Sequence, residues 1–170
     1  HFLKMSFDIA NQQGFILGEK FVRGAYMEKE RARAAQNGYA SPIQPDKEST
    51  DKDYNAAVDF CLDHIDKISV IVASHNEESN MLAAKRLVER SMPLNHPHVH
   101  FSQLYGMSDN ITFNLAKDGF SVSKYLPFGP INDVIPYLMR RAQENTSVSG
   151  QTGRELALIE VELQRRKKEH

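Results

Sequence analysis

Two adjacent arginines near the carboxyl end of the chain have the chemistry needed to bind a small anion. If residues 133 onward form a helix with Pro136 in its first turn, four side chains lie within about 100° of one another: Tyr137, Arg140, Arg141 and Glu144. Two guanidinium groups beside an aromatic ring are typical of a site that binds a carboxylate. A solvated helix face with an ion pair between Arg140 and Glu144 is the other interpretation that this spacing allows.

Further candidate residues follow four short segments that are rich in β-branched and aromatic residues. These segments, at 20–26, 69–74, 99–104 and 120–126, are predicted to be strands. Each ends in polar, aromatic or glycine residues, for example Arg23-Gly24 and Ser74-His75-Asn76. Ligands of α/β proteins bind at the carboxyl ends of parallel strands, so these positions are candidates for a binding site. A set of ordinary turns between strands and helices is the alternative.

The segments between the predicted strands favour helices, and this alternation gives the fold class. Apolar residues follow helical spacing at 51–65 and 77–90. Strands that alternate with helices predict an α/β fold, with parallel strands joined by right-handed crossovers. Residues 38–50 are predicted to be a loop, and residues 146–150 a linker before a final helix with a basic end. That basic end suits the helix macrodipole, and contact with an acidic lipid or a partner is its alternative.

Composition excludes several classes of protein. The 170 residues include 21 basic and 22 acidic side chains, so the net charge of −1 does not indicate a nucleic-acid partner. Apolar residues make up 41%, as in globular proteins, and no apolar run approaches the roughly 20 residues of a transmembrane helix. The single cysteine, Cys61, excludes an internal disulfide and is expected in the core. His96, His98 and His100 alternate, but no nearby acidic residue or cysteine completes a metal site, and none is predicted.

Five motifs occur in order at the predicted strand ends and in the predicted helix. They are FVRGAY at 21–26, ASHN at 73–76, LYGM at 104–107, KYLPFG at 124–129 and YLMRRAQEN at 137–145. Together they resemble the proline dehydrogenase family over residues 18–148. The final helix is similar to the tail of the monofunctional, eukaryotic-like branch of that family. The last of the five motifs is the most specific.

This resemblance implies a (β/α)8 (TIM) barrel, of which the chain would form about the last four β/α units and a C-terminal helix. Residues 1–148 would be the C-terminal half of an FAD-binding barrel, and residues 149–170 a linker and helix. A complete barrel needs about 250 residues, so the resemblance also implies a missing N-terminal barrel half. Four parallel strands alone would leave two open sheet edges, which proteins seldom tolerate.

The activity that the resemblance implies is the FAD-dependent oxidation of L-proline to Δ1-pyrroline-5-carboxylate, the first step of proline catabolism. Hydride would pass from the ring carbon beside nitrogen to flavin N5. The isolated chain is expected to be inactive, because half of the pocket would be absent. A non-catalytic half-barrel that serves as an assembly or interaction module is the alternative function.

Substrate-binding roles follow from the same resemblance. Arg140 and Arg141 would bind the proline carboxylate, and Glu144 would hold an arginine in place. Three residues would pack around the pyrrolidine ring: Leu104, Tyr125 and Tyr137. In this family a tyrosine at the position of Tyr125 excludes 4-hydroxyproline, whereas the hydroxyproline-oxidising relatives carry a smaller residue there. L-Proline is therefore the expected substrate.

Cofactor-binding roles are implied at the strand ends. Lys20 and Arg23 would be the catalytic cations beside the flavin, because positive charge stabilises its reduced, anionic form. They stand where the bifunctional bacterial members carry arginine and lysine, respectively. The other implied FAD contacts, which Arg23 would share, are Val22, Gly24, Tyr26, Ser74, His75, Asn76 and Gln103. The last of these is shifted by one residue from the flavin-facing glutamine of the bifunctional members.

The resemblance also implies partners beyond the substrate. A quinone would accept the electrons, and the enzyme would associate peripherally with a membrane. No nucleic-acid partner is expected. Bacterial cytoplasm with inner-membrane association and the mitochondrial matrix or inner membrane both agree with this family, and the residues of this chain do not distinguish between them.

Overall fold

A four-stranded parallel sheet forms the centre of the fold. The computed structural model describes residues 2–147 and 151–168, with side chains for 2–141 and 157–168. The strands are β1 (Leu17–Phe21), β2 (Ile68–Ala73), β3 (Val99–Leu104) and β4 (Val122–Tyr125). They lie in the order β1-β2-β3-β4, and each neighbouring pair is parallel. The carboxyl ends of all four strands therefore lie at one edge of the sheet, called the carboxyl edge below.

Helices connect the strands and follow the sheet. They are α1 (Phe2–Gln13), α2 (Met27–Asn37), α3 (Lys47–Asp63), α4 (Glu77–Glu89), α5 (Asp109–Lys117), α6 (Ile131–Ser147) and α7 (Gln151–Lys168). Side-chain caps set the starts of two of them. Asp46 accepts a hydrogen bond from the Ser49 amide (2.7 Å) before α3, and Asn76 accepts one from the Ser79 amide (2.9 Å) before α4. Such caps satisfy amides that have no partner within the helix.

The strand register divides the side chains of the sheet between two faces. Side chains alternate along each strand, and paired residues of neighbouring strands share a face. The helix-packed face includes Leu17, Phe21, Val70, Val72 and Phe101, which lie in or against the hydrophobic core. The opposite face carries Gly18, Lys20, Ser69, Ile71, Ala73, His100, Ser102, Leu104, Ser123 and Tyr125.

The core lies between the helix-packed face and helices α3 and α4. Val58 and Leu62 of α3 and Leu87 of α4 are at most 1% exposed, and Phe101 of β3 is fully buried. Burial of side chains of this size contributes roughly 1.5–3 kcal/mol each. The prediction that Cys61 is a core residue is confirmed. Burial, and to a smaller extent the negative charge of a neighbouring glutamate, raises the pKa of its thiol to about 12.

The predicted alternation of strands and helices is confirmed, but one strand was placed wrongly. β3 has the predicted bounds, β2 is displaced by one residue, and β4 is shorter than the predicted 120–126. β1 ends at Phe21 instead of covering residues 20–26. Gly24 and Tyr26 have φ values of 72° and 59°, and these left-handed conformations turn the chain away from the sheet. The apolar and aromatic residues of this turn had the composition of a strand.

The predicted helices at 51–65 and 77–90 are present as α3 and α4. α3 begins at Lys47, because Asp46 caps it there, so the loop predicted at 38–50 ends earlier. α6 continues through Thr146 and Ser147, which were predicted to be linker. The other linker residues, 148–150, lie outside the described part of the chain.

The start of α6 also differs from the prediction. The helix begins at Ile131 rather than near Asp133, because the Asp133 and Val134 amides donate to the Pro130 carbonyl (2.9 and 3.0 Å). Pro136 therefore lies in the second turn rather than the first. A proline there has no amide hydrogen to donate to the preceding turn, so one helical hydrogen bond is lost.

The chain divides into two compact units, residues 1–125 and 126–170. The first unit contains the sheet with α1 to α5, and the second contains α6 and α7. Within the described residues, no helix is both long and apolar enough to cross a membrane. The same residues contain no group of three His, Cys, Asp or Glu side chains suited to a metal ion. His98, one of the alternating histidines, bonds through Nδ1 to the Ile65 carbonyl (2.7 Å).

Candidate active site at the carboxyl edge

Arg23 joins three structural elements at the carboxyl edge. Its guanidinium donates hydrogen bonds to the Asp51 carboxylate in α3 and to the Ser74 hydroxyl after β2 (2.7 Å). The same group lies 4.5 Å from the ring centre of Tyr54. The side chains of Arg23 and Asp51 are 15% and 19% exposed, so this ion pair is largely withdrawn from solvent. It fixes the loop after β1 against the segment after β2.

On the sheet face opposite the helix-packed face, a cation of one outer strand contacts an aromatic ring of the other. Lys20 Nζ, from β1, lies 4.5 Å from the ring centre of Tyr125, from β4. Neighbouring strands lie about 4.8 Å apart, so a flat sheet would hold these two strands about 14 Å apart. The contact therefore spans the width of the sheet on this face. Leu104 pairs in register with Tyr125, so an aliphatic side chain borders the same place.

The segment after β2, Ser74-His75-Asn76, is held by hydrogen bonds at each residue. The Ser74 hydroxyl accepts from the Arg23 guanidinium and from the Asn76 amide (3.1 Å). The Nδ1 atom of His75 lies 2.9 Å from the hydroxyl of Ser108, which follows β3. The Asn76 side chain caps α4. One ring nitrogen of the half-buried His75 is therefore engaged within the protein.

Tyr54 supports this cluster from α3. Its hydroxyl donates a long hydrogen bond to the Phe21 carbonyl (3.4 Å), and its ring contacts the Arg23 guanidinium. The residue is 6% exposed. Burial raises the pKa of its phenol to about 12, although the positive charge of Arg23 acts in the opposite direction.

The raised pKa of Tyr54 predicts a loss of stability at alkaline pH. The neutral phenol is favoured in the folded state, so its contribution is fully present below pH 10 and is lost as pH rises toward 12. One such group changes the free energy of unfolding by up to about 1.4 kcal/mol per pH unit. Urea unfolding at several pH values should show that the free energy of unfolding falls less steeply with pH in Tyr54→Phe than in the wild type. The part of the decline that comes from the raised pKa of Cys61 should remain. An unchanged slope would contradict the assignment.

The sequence matches one protein family over most of its length. A model of the family described as Proline dehydrogenase matches residues 1–154. This chain belongs to the proline dehydrogenase family. The resemblance inferred from the five motifs is therefore confirmed.

Proline dehydrogenases and hydroxyproline dehydrogenases are similar to this chain to the same degree. It is 45% identical over 163 residues to Proline dehydrogenase 1, mitochondrial, of Homo sapiens, covering 94% of this chain and 27% of the human protein. It is 44% identical over 168 residues to hydroxyproline dehydrogenase of Xenopus laevis, covering 96% of this chain and 36% of the relative. The chain thus spans between 27% and 36% of the length of these two relatives.

A solved crystal structure has the same fold over most of the chain. The crystal structure of proline utilization A (PutA) from Bdellovibrio bacteriovorus inactivated by N-propargylglycine has a TM-score of 0.79 and 28% sequence identity. The similarity covers 86% of this chain and 15% of that chain. The predicted fold class, the α/β arrangement of a β/α barrel, is confirmed.

The structure brings together part of the site that the proline dehydrogenase resemblance implies. Lys20, Leu104 and Tyr125 share the opposite face near the carboxyl edge. Arg23 contacts Ser74 directly. The strand ends and loops at this edge carry these predicted flavin contacts: Val22, Arg23, Gly24, Tyr26, Ser74, His75 and Asn76.

Gln103 is the most deeply buried of the predicted flavin contacts, and it reaches the Ser74 backbone from the helix-packed face. It precedes Leu104 in β3, so its side chain is on the helix-packed face, where it is 1% exposed. Its amide nitrogen donates to the Ser74 carbonyl and to the Asn80 side-chain oxygen (both 3.3 Å). Its amide oxygen accepts a hydrogen bond from Thr112 (2.9 Å). The amide nitrogen and the amide oxygen of Gln103 are therefore both hydrogen-bonded to groups of the protein.

The predicted arginine site belongs to the second compact unit. The Arg141 guanidinium lies 5.2 Å from the ring centre of Tyr137, one turn earlier in α6. Arg140 is exposed and Arg141 is half-buried. The side chain of Glu144 lies outside the described residues. Within the described part of α6, an aromatic ring and an arginine are thus in contact on one side of the helix.

Several residues that hold the site in place from the helix side could not be recognised in the sequence. Asp51, Ser108 and Thr112 carry no motif, and each resembles the many polar residues of a helix surface or turn. Tyr54 was noted only as part of an apolar helical stripe. Their partners lie far away in the chain, as with the 28 residues that separate Arg23 from Asp51. Only the packing of α3 and α5 against the sheet reveals these contacts.

Proposed function

We propose that the protein to which this chain belongs oxidises L-proline to Δ1-pyrroline-5-carboxylate with a bound flavin. Membership of the proline dehydrogenase family supports this activity. The observation that carries the proposal is the contact of Lys20 with Tyr125 beside Leu104 at the carboxyl edge. A cation and an apolar wall at the carboxyl ends of parallel strands suit a small ring substrate next to a redox cofactor.

The residues at the carboxyl edge fit a flavin. Gly24 has a φ of 72°, and no atom lies within 4 Å of the place where its Cβ would be, so a ligand can approach its backbone. Lys20 supplies positive charge on the opposite face, where it would stabilise an anionic ring system. FAD is the form that we propose, from the family resemblance. When bound, the flavin supplies the hydride acceptor.

We assign different roles to the two cations of β1 and its loop. Arg23 is held by Asp51 in a largely buried ion pair and by the Ser74 hydroxyl, so its guanidinium is fixed in place and shapes the loop. Asp51 also pairs with Lys47, so the three groups together keep one net positive charge. Lys20 is exposed and rests on the Tyr125 ring, so it is the cation that faces the reacting groups.

The substrate-binding roles that we propose come from the family resemblance. Leu104 and Tyr125 would pack against the pyrrolidine ring and exclude water from it. Arg140 and Arg141 would bind the carboxylate, because paired guanidinium groups match its geometry. Tyr137 would pack against the substrate beside them, and Glu144 would hold an arginine in place.

We propose L-proline rather than 4-hydroxyproline as the substrate. The identities of 45% and 44% to relatives named for each substrate do not favour either. The choice rests on Tyr125, a large side chain held by Lys20 where the family's hydroxyproline-oxidising members carry a smaller residue.

We further propose that this chain is the C-terminal half of the barrel, with residues 149–170 as a linker and helix. Its four strands and its coverage of at most 36% of these relatives support this. An N-terminal half would cover the opposite face and supply the remaining strands. The isolated chain would then bind little FAD and show no turnover.

The electron acceptor and compartment belong to the same proposal. A quinone would accept the electrons, which requires peripheral contact with a membrane. The human relative is named as mitochondrial, and this supports the mitochondrial matrix or inner membrane over a bacterial location.

The experiment uses the purified full-length protein that contains this chain, called the parent below. We expect a yellow protein whose flavin absorbance is bleached by L-proline under anaerobic conditions and restored by a quinone. 4-Hydroxyproline at the same concentration should bleach it more slowly. A colourless parent that binds no added FAD would instead favour the non-catalytic half-barrel module.

A further inference from the structure

A buried polar network lies behind the segment Ser74-His75-Asn76. Three side chains form it: Asn80 of α4, Gln103 of β3 and Thr112 of α5. They are 2%, 1% and 6% exposed, respectively. Polar side chains at this depth are tolerated only when their hydrogen bonds are satisfied.

The hydrogen bonds of this network lead from α5 to the segment after β2. The Thr112 hydroxyl donates to Gln103 Oε1 (2.9 Å), and it also lies 3.2 Å from the Ser108 carbonyl. Gln103 Nε2 donates to Asn80 Oδ1 and to the Ser74 carbonyl (both 3.3 Å). Asn80 Nδ2 donates to the carbonyls of Ser74 (3.0 Å) and Asn76 (2.8 Å). Each amide nitrogen therefore has two acceptors and each amide oxygen has one donor, and the network ends on backbone carbonyls.

Stability alone gives no reason for polar residues at these positions. Well-packed apolar side chains in place of a buried polar group are often neutral or stabilising. A satisfied network instead selects one arrangement of the groups at its ends. Here those groups are the Ser74 and Asn76 carbonyls. The same segment is held at its side chains by Arg23 and Ser108.

We propose that Asn80, Gln103 and Thr112 are positioning residues that hold the segment Ser74-His75-Asn76 in the geometry that binds the flavin. The proposal rests on the proposed function for the identity of the ligand. Gln103 then acts through the backbone of Ser74 and not by direct contact with the cofactor. His75 and Asn76 remain proposed contacts of the ligand, although the Asn76 side chain also caps α4.

Two substitutions of Thr112 in the parent test this role. Thr112→Val keeps the shape of the side chain and removes the hydroxyl, whereas Thr112→Ser keeps the hydroxyl and removes the methyl group. We expect Thr112→Val to raise the Kd for FAD about tenfold, because the Gln103 amide loses its donor and can rotate. Thr112→Ser should remain within about twofold of the wild type, since one methyl group at the end of the network has little effect on its hydrogen bonds.

A second readout needs no cofactor. Amide hydrogen exchange at residues 74–80 of the flavin-free parent should be faster in Thr112→Val than in Thr112→Ser, relative to exchange at residues 30–36 of α2. Val58→Ala is the matched control, because it removes buried methyl groups of α3 outside the network. It should lower the Tm without changing the Kd for FAD or the relative exchange of residues 74–80.

The outcomes separate this proposal from the proposed function. Equal FAD affinity and exchange in the two Thr112 variants, or weaker binding by Thr112→Ser, would show that only packing matters and would overturn it. A wild-type parent that binds no FAD would refute the proposed function. The exchange comparison in the flavin-free protein would still decide whether the network positions the segment.

Discussion

Replacement of Arg140 or Arg141 by Met in the parent is expected to raise the KM for L-proline about 30-fold or more. Each change deletes charge-assisted hydrogen bonds to a carboxylate that binding withdraws from water, an effect of roughly 2–5 kcal/mol. FAD content should not change, because these side chains are proposed to face the substrate and not the cofactor. Steady-state kinetics and the flavin absorbance per protein measure the two effects separately.

Two further variants sharpen this test. Arg140→Lys keeps the charge but not the planar, two-pronged donor, so its KM should lie between those of wild type and Arg140→Met. Arg33→Met removes an exposed arginine of α2 and should leave the KM unchanged. A near-normal KM in either Met variant would contradict the carboxylate assignment and return the arginine pair to the alternative of a solvated helix face.

The parts of the fold that depend on local composition were predictable from the sequence. β2, to within one residue, and α4 follow from a run of β-branched residues and an apolar helical stripe, because these patterns extend over a whole element. The end of β1 depends on the backbone of Gly24 and Tyr26, which both adopt left-handed conformations. Glycine permits that conformation without requiring it, and tyrosine rarely adopts it, so composition alone misplaced the strand.

Only those residues of the candidate site that lie in or beside a recognisable motif could be predicted from the sequence. Lys20, which precedes the first motif, and Tyr125, which lies in the fourth, were assigned separately, and the folded sheet brings Lys20 Nζ to 4.5 Å from the Tyr125 ring centre. For Gln103, the residue before the third motif, the sequence provided no reliable position. A shift of one residue along a strand moves a side chain to the other face of the sheet, so its place next to the motif did not determine which face it occupies. The support of Arg23 by Asp51 depends on how α3 packs on the sheet, which no local pattern encodes.

Replacement of Tyr125 by Ser is expected to lower kcat/KM for L-proline and to narrow the preference over 4-hydroxyproline by about tenfold or more. The tyrosine ring occupies space on the opposite face beside Leu104, and a serine there would admit the extra hydroxyl of the larger substrate. The change also removes the ring under Lys20, a cation–π contact of about 0.5–2 kcal/mol that helps to hold the ammonium in place. Steady-state kinetics with both substrates measure the change.

Tyr125→Phe separates the two consequences of that change. It keeps the ring and its contact with Lys20, so kcat for proline should remain within a few-fold of wild type, and most of the preference should persist. Tyr39→Ser, at an exposed tyrosine before α3, should leave both substrates unaffected. If Tyr125→Ser keeps the wild-type preference, Tyr125 does not determine specificity. The similarity to hydroxyproline dehydrogenases would then support 4-hydroxyproline as much as the similarity to proline dehydrogenases supports L-proline. Other residues around the ring would determine the substrate.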